Sequence, residues 1–543
     1  MKLWIKRNMT WDKALGSVLC LAGMGMLGVS VYLSFSSDIW YDELFTMGLA
    51  NRSCGKLISI TARDVHPPLY YMIVRLFLWL FGGLKGDIAC QTAVAKLASV
   101  LPFFICMLYA LTKVRKNFGM LAAGIFCFLL PSMPKLADYT VEIRMYGYGL
   151  FFVTAGMLHA YELVRGTRDA SKRFFMRADW TAFTLYALAA CYTHYFACAA
   201  FAMIYLYLLF SFFREKRGKE IRMLMGSGFL CAAGYLPWII CAFTIQLGQV
   251  KENYWIQPLT WRSLGGCIKY VFEFAFSSQL VSMAAGALLF AFYGEMLVLC
   301  LFRTKNKEQQ EEGTESKKKR ERETGFIFGC IGVPVGVVLF GFLASVLIRP
   351  VFVYRYMLPA LGTFWLAFAV LLAQEKEKKY FFIPAALFLI VAGIINYRSF
   401  YGEEMWKRVQ MKEARQALSQ IDENDVIIYN FDQAQAVISY YLDNDTYLWY
   451  GKPEALIQEM YPQNSALVEG EFSDEAGIAV LQELLLEREY SGKGKIYFFG
   501  SGNARDEIIE KWGNAGIKVT QTASAMIERY WFNIYECKLQ SFE

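Results

Sequence analysis

The 543 residues are 56% hydrophobic and 17% aromatic but only 19% charged, against about a quarter charged in soluble proteins. The deficit is uneven: residues 1–400 hold long apolar runs broken by short basic clusters, while 401–543 read as an ordinary soluble domain. The net charge of +7 does not point to nucleic acid, because the Lys and Arg residues flank apolar runs, where they act as orientation signals. Most of the 13 cysteines lie inside those runs and behave as small hydrophobes. There is no CxxC and no Cys/His metal spacing.

In chain order, the first apolar run (14–35) is too long for a cleaved signal segment and is expected to stay as an anchor. Behind it comes Asp38-Ile-Trp-Tyr-Asp42-Glu43-Leu-Phe-Thr46. Adjacent carboxylates on a helix diverge by about 100°, so one can face a site while the other orients it. The plain alternative is a helix start with acids at the positive dipole end. Next, Asp64-Val-His66-Pro67-Pro68-Leu69-Tyr70-Tyr71 holds His66 extended ahead of two prolines. This is either helix punctuation or a histidine presented to a site.

A span needs about 20 mostly apolar residues. About eleven are expected: 14–35, 96–113, 119–136, 147–164, 179–193, 196–213, 223–243, 279–302, 325–348, 356–373 and 380–397. The fifth and sixth are short and share a turn at Thr193–His194. The run 69–84 is ambiguous. If it does not span, every basic cluster (near 2–7, 113–116, 165–177, 214–222, 303–322 and 376–379) falls on the cytoplasmic side. It is therefore read as an interfacial helix on the outer face. The outer segments become 36–95, 137–146, the turn near 194, 244–278, 349–355 and 398–543. The Lys/Glu/Gln-dense stretch 304–323 is expected to be a disordered cytoplasmic loop.

Polar groups gather on the outer side. Asp138-Tyr-Thr-Val-Glu142-Ile-Arg144-Met-Tyr146 follows the third span, and Glu142 with Arg144 is either an ion pair or part of a site. Thr193-His194-Tyr195 places a second histidine on this face. Arg349-Pro350-Val-Phe-Val-Tyr354-Arg355-Tyr356 puts two arginines where the orientation trend expects none. Guanidinium suits phosphate through its planar fork, although arginines also snorkel at interfaces. Carboxylates and cations on one membrane face suit a reaction between a lipid phosphate and a hydroxyl nucleophile.

At these residues the chain resembles the protein O-mannosyltransferase and aminoarabinose transferase superfamily, in its bacterial family 39-like branch. The matching features are Asp42-Glu43, His66-Pro67-Pro68-Leu69-Tyr70-Tyr71, Glu142-Ile-Arg144-Met-Tyr146, Thr193-His194-Tyr195 and Arg355-Tyr356-Met-Leu-Pro359, over residues 10–400. The resemblance implies an α-helical polytopic membrane protein of GT-C type with a polyprenyl-phosphate sugar donor and inversion at the anomeric carbon. It implies Asp42 as general base with Glu43 in support, and Glu142 as the second-loop acid. Arg144, Arg349 and Arg355 become candidates for the donor phosphate, with His66, His194 and Tyr356 lining the site. Some relatives hold a divalent cation near the site, but no ligand cluster here can be matched to one. No lectin-like repeat is present, which leaves the acceptor (protein, lipid or glycan) open.

Residues 401–543 are expected to form an extracytoplasmic α/β domain following a membrane module of 1–400. Strands are expected at 426–429, 495–499, 517–520 and 531–537, and helices at 433–442 and 504–512. Gly500-Ser-Gly502 is either a phosphate cradle or a plain turn; it lacks the full GxGxxG. The rival functional class is a transporter or flippase of a lipid-linked glycan, but no internal repeat is evident and the acids lie in outer loops.

Overall fold

The computed structural model describes residues 10–35, 39–166, 173–252, 256–306, 314–468, 474–502, 504–527 and 530–540. Among the described residues, sixteen α-helices come first. They are α1 (Trp11–Ser34), α2 (Tyr41–Ala50), α3 (Cys54–Thr61), α4 (Leu69–Leu80), α5 (Ile88–Tyr109), α6 (Arg115–Ser132), α7 (Tyr146–Arg165) and α8 (Arg173–Thr193). Then follow α9 (Tyr195–Arg214), α10 (Gly218–Trp238), α11 (Thr244–Glu252), α12 (Trp261–Phe272), α13 (Gln279–Asn306), α14 (Thr314–Leu347), α15 (Leu358–Gln374) and α16 (Lys379–Leu418). All eleven expected apolar runs lie on helices, and among the described residues eight helical stretches are long and apolar enough to cross a membrane. The chain is a multi-pass membrane protein. The 12-residue α4 is shorter than a crossing requires.

Two local expectations change. The fifth span is not short: α8 has 21 residues and α9 has 20. The first turns of α8 carry Arg173, Arg177 and Asp179, which hide its length from a hydropathy reading. The stretch expected to be a disordered loop is helical from Thr314 onward, while 307–313 lies outside the described residues. Its charges are used: Arg322 Nε donates to Glu215 at 2.9 Å, and Glu321 accepts from Arg214 at 3.0 Å. These pairs tie the start of α14 to the end of α9.

The chain divides into two compact units: residues 1–32, 54–73 and 96–401, and residues 33–53, 74–95 and 402–543. In the first, α15 is apolar on every face and buried around its circumference, as a central helix must be. Helices α1 and α6 meet backbone to backbone. A Cβ added at Gly124 would stand 1.9 Å from the Gly16 carbonyl oxygen, so close packing by small residues holds this pair where lipid offers no hydrophobic drive. Basic and acidic side chains form a belt at one end of the unit's helices: Lys116 with Glu162, Arg217 with Glu220, Arg303 with Glu375 and Lys376 with Asp12.

In the second unit the remaining elements are β1 (Val426–Tyr429), α17 (Asp432–Tyr441), β2 (Thr446–Leu448), α18 (Ala455–Met460), β3 (Asn464–Ala466), α19 (Asp474–Ser491), β4 (Ile496–Gly500), α20 (Ala504–Asn514), β5 (Ile517–Ile527) and β6 (Tyr530–Leu539). The sheet order is β3-β2-β1-β4-β6-β5, parallel through β4 and antiparallel beyond it. One face packs Ile428, Phe498, Trp449 and Trp512 into a core, the two Trp rings 5.1 Å apart and near perpendicular. The short strands β2 and β3 are pinned by a buried polar cluster. Asn464 Oδ1 accepts from Thr446 Oγ1 at 2.9 Å and Ser439 Oγ at 3.0 Å. Of the two readings of Gly500-Ser-Gly502, the structure supports the turn. Ser501 N–H donates to Asn430 Oδ1 at 3.0 Å, and Gly502 has φ +67°, a left-handed value that glycine adopts without strain.

Candidate active site

In the first unit, four chain segments meet at the ends of α7, α9 and α15 opposite the ionic belt. Helix α7 runs 20 residues from Tyr146 to Arg165, and α9 runs 20 from Tyr195 to Arg214. At ~1.5 Å per residue each covers ~30 Å, about one hydrocarbon thickness. Tyr146 and His194 therefore stand at one face, and Arg165 and Arg214 at the other.

His194 is the pivot. Its backbone is extended (φ −163°, ψ 138°), breaking α8 from α9. The ring then caps α9: Nδ1 accepts from Phe196 N–H at 3.1 Å, which places the proton of the neutral ring on Nε2. The ring lies 5.4 Å from His66, 5.4 Å from Tyr146 and 4.9 Å from Tyr356. His194 is held well below its ordinary pKa by burial, then by His66, Arg144 and Arg355. Those three are the charged or chargeable groups around it, and the two arginines are fixed cations. His66 is itself buried, with Nδ1 3.3 Å from Asp64 Oδ2.

The expected residues of this unit thus converge: His66, His194, Tyr356, Arg144 and Arg355. Arg144 is buried, its guanidinium 5.9 Å from the centre of the Tyr146 ring, within cation–π range. Glu142 is partly buried two residues before it, in a tight turn where Arg144 N–H donates to the Glu142 carbonyl at 2.8 Å. The Glu142 charge acts on Tyr139, whose hydroxyl is driven far above its usual range by burial, by Tyr270 and by Glu142. Arg349 is partly buried after α14.

A cavity of about 190 Å³ opens at this cluster. His66, His194, Tyr195, Gln246 and Tyr356 supply its polar lining, and Phe196, Phe243, Leu247, Phe340 and Ile348 its apolar walls. Apolar walls, with two arginine charges acting on the lining residue His194, fit an amphiphile with an anionic head.

Two residues escaped the sequence reading. Lys96 is buried within apolar α5, and its Nζ donates to the Val141 carbonyl at 3.3 Å, at the loop carrying Glu142 and Arg144. A lysine inside an apolar run is costly and by itself a signal of function. Gln246 is buried, donating to the Thr61 carbonyl at 2.7 Å and accepting from the Tyr195 hydroxyl. It ties α11 to the turn after His194. The third histidine, His159, is elsewhere: its Nδ1 is 2.7 Å from Asp179 Oδ1, which also accepts from Lys113.

Asp42 and Glu43 belong to the second unit, in the first turn of α2; Asp38 lies outside the described residues. The two carboxylates have different surroundings. Glu43 is buried and accepts from the Trp40 N–H at 3.0 Å, closing the start of the helix. Asp42 is half-buried. Among the described residues, no three His, Cys, Asp or Glu stand close enough to hold a metal ion.

No family model matches the sequence, and no curated protein does. Solved structures do. ArnT from Cupriavidus metallidurans in the apo state aligns with a TM-score of 0.56 at 12% identity, covering 96% of this chain and 98% of that one. ArnT bound to undecaprenyl phosphate aligns with a TM-score of 0.56 at 12% identity, covering 97% and 98%. The oligosaccharyltransferase AglB from Archaeoglobus fulgidus, in complex with an inhibitory peptide and a dolichol-phosphate, aligns more loosely, with a TM-score of 0.44 at 11% identity over 92% and 70%. Over nearly its whole length, then, this chain has the fold of ArnT.

Proposed function

We propose that this protein is a membrane glycosyltransferase that takes a sugar from a polyprenyl-phosphate donor and passes it, with inversion, to an acceptor hydroxyl. The observation that carries the reading is an apolar cavity lined by His66 and His194, with the charges of Arg144 and Arg355 acting on His194. Arg144 and Arg355 hold the donor phosphate, with Lys96 as a third cation at the same loop. The isoprenoid chain lies along Phe196, Phe340 and Ile348. Neutral His194, with its Nε2 proton, donates a hydrogen bond to a phosphate or sugar oxygen. That ArnT has been captured with undecaprenyl phosphate supports this class of donor.

In the reaction the anomeric carbon–phosphate oxygen bond breaks and the anomeric carbon–acceptor oxygen bond forms. Asp42 takes the acceptor proton as general base, and the arginines stabilise the charge gathering on the departing phosphate. Glu142 positions donor or acceptor beside Arg144, and Glu43 fixes the helix that presents Asp42. The ionic belt carries the basic clusters and so marks the cytoplasmic face. The site is then extracytoplasmic.

The test is cleavage of labelled polyprenyl-phosphate hexoses and pentoses by the reconstituted full chain. We expect turnover that Asp42→Asn lowers about a hundredfold or more. Label that crosses the bilayer with its sugar–phosphate bond intact would refute the transferase and establish a transporter.

A further inference from the structure

We propose that Glu454, acting through Tyr41, is a positioning residue for Asp42, so that the C-terminal sheet unit takes part in catalysis by aiming the base. The inference rests on the reading of Asp42 given above.

Helix α2 has ten residues, too few to be stable alone, so its orientation comes from what grips it. Arg75 donates to the Ala50 carbonyl at 3.0 Å at its far end, and the sheet unit adds contacts from more than 350 residues further along the chain. At the start of α2 the Tyr41 hydroxyl donates to Glu454 Oε2 at 3.1 Å, and the Ile39 N–H donates to the Tyr441 hydroxyl at 3.4 Å. In the middle, the Tyr461 hydroxyl donates to the Leu44 carbonyl at 3.1 Å. At the far end Arg52 donates to the Met460 carbonyl. A Cβ at Gly48 would stand 2.8 Å from Met460 Sδ, so the helix lies flat against α18.

The contact at Tyr41 matters most, because the next residue is Asp42. Tyr41 is surrounded by charge from the sheet unit. Burial, then Glu454, Asp432 and Asp42, drive its hydroxyl far above the usual range, so it stays a neutral donor. Glu454 directly precedes α18 and Asp432 opens α17. Both follow the carboxyl ends of parallel strands, the edge where open α/β sheets place working groups. Successive helical residues are ~100° apart, so a small rotation of the first turn sweeps Asp42 off its line. Glu43 closes this turn from within, and the bond from Tyr41 to Glu454 fixes it from outside.

The experiment uses the full-length chain in nanodiscs, with labelled polyprenyl-phosphate hexoses and pentoses and transfer to water as the readout. Glu454→Ala and Tyr41→Phe are expected to lower kcat roughly ten- to a hundredfold, leaving the donor KM and the thermal midpoint unchanged. Glu454→Gln keeps an acceptor oxygen for the Tyr41 hydroxyl and is expected to restore wild-type kcat. In an Asp42→Asn background Glu454→Ala is expected to add no further loss, since it acts only through Asp42. Wild-type kcat in both Glu454→Ala and Tyr41→Phe would overturn the proposal, as would equal losses in Glu454→Ala and Glu454→Gln. Full activity in Asp42→Asn would instead overturn the role of Asp42 itself.

Discussion

Removing one buried cation from the phosphate site gives the sharpest consequence of the arrangement. Arg144 is 5% exposed, so its charge acts with little screening. At ~4 Å and an effective dielectric constant of ~20, a unit charge pair is worth about 4 kcal/mol. Arg355 shares the load, and solvent reaching a bound phosphate reduces the figure further, leaving about 2–3 kcal/mol for Arg144. Each 1.36 kcal/mol is tenfold, so Arg144→Gln should lower kcat/KM for a polyprenyl-phosphate sugar roughly 30- to 150-fold. The guanidinium also lies over the Tyr146 ring, a contact of about 1 kcal/mol, so folding is read beside activity. The assay is release of labelled sugar at sub-saturating donor, alongside a thermal melt. Arg144→Gln within about threefold of wild type, with an unchanged melt, would refute the placing of phosphate here.

Three further outcomes follow from the geometry. Lys96→Met should express normally yet lower kcat/KM by about tenfold or more, read in the same release assay, because it removes a buried cation from the Glu142–Arg144 loop. His194 is depressed below its ordinary pKa by burial, His66 and the arginines. The folded state therefore resists a proton that the unfolded state accepts, and stability is lost as pH falls below about 6.5, by at most about 1.4 kcal/mol per pH unit. Melts between pH 8 and pH 5 should show this decline in wild type and less of it in His194→Asn, whose side chain can still cap α9. Gly124→Val should sharply reduce folded yield in detergent, since its Cβ would meet the Gly16 carbonyl, whereas Gly25→Ala, with nothing within 4 Å, should be neutral.

What the sequence revealed followed from local physics. Apolar runs near 20 residues became helices because length and hydropathy leave the backbone no other way to satisfy itself in lipid. His194, Arg144, Arg355 and Tyr356 stood out at the ends of apolar runs, and His66 because two prolines follow it. The helices of the sheet unit at 433–442 and 504–512 and its longer strands were marked by ordinary periodicity, but β2 and β3 have three residues each, too few for a pattern. Lys96 was passed over because it sits inside a run that reads as membrane. The helicity of 314–323 depends on partners on α9 that lie about 100 residues away. Least legible was the grouping of Asp42 with the C-terminal sheet. The bond from Tyr41 to Glu454 joins positions 413 apart, and no local pattern encodes it.

A structure of the chain in nanodiscs with a polyprenyl phosphate would locate the donor phosphate. Phosphate density is expected within hydrogen-bonding distance of Arg144 and Arg355, with the first isoprene units against Phe196 and Phe340. Phosphate density at the opposite end of α9, among Arg214, Arg217 and Arg322, would contradict that placement.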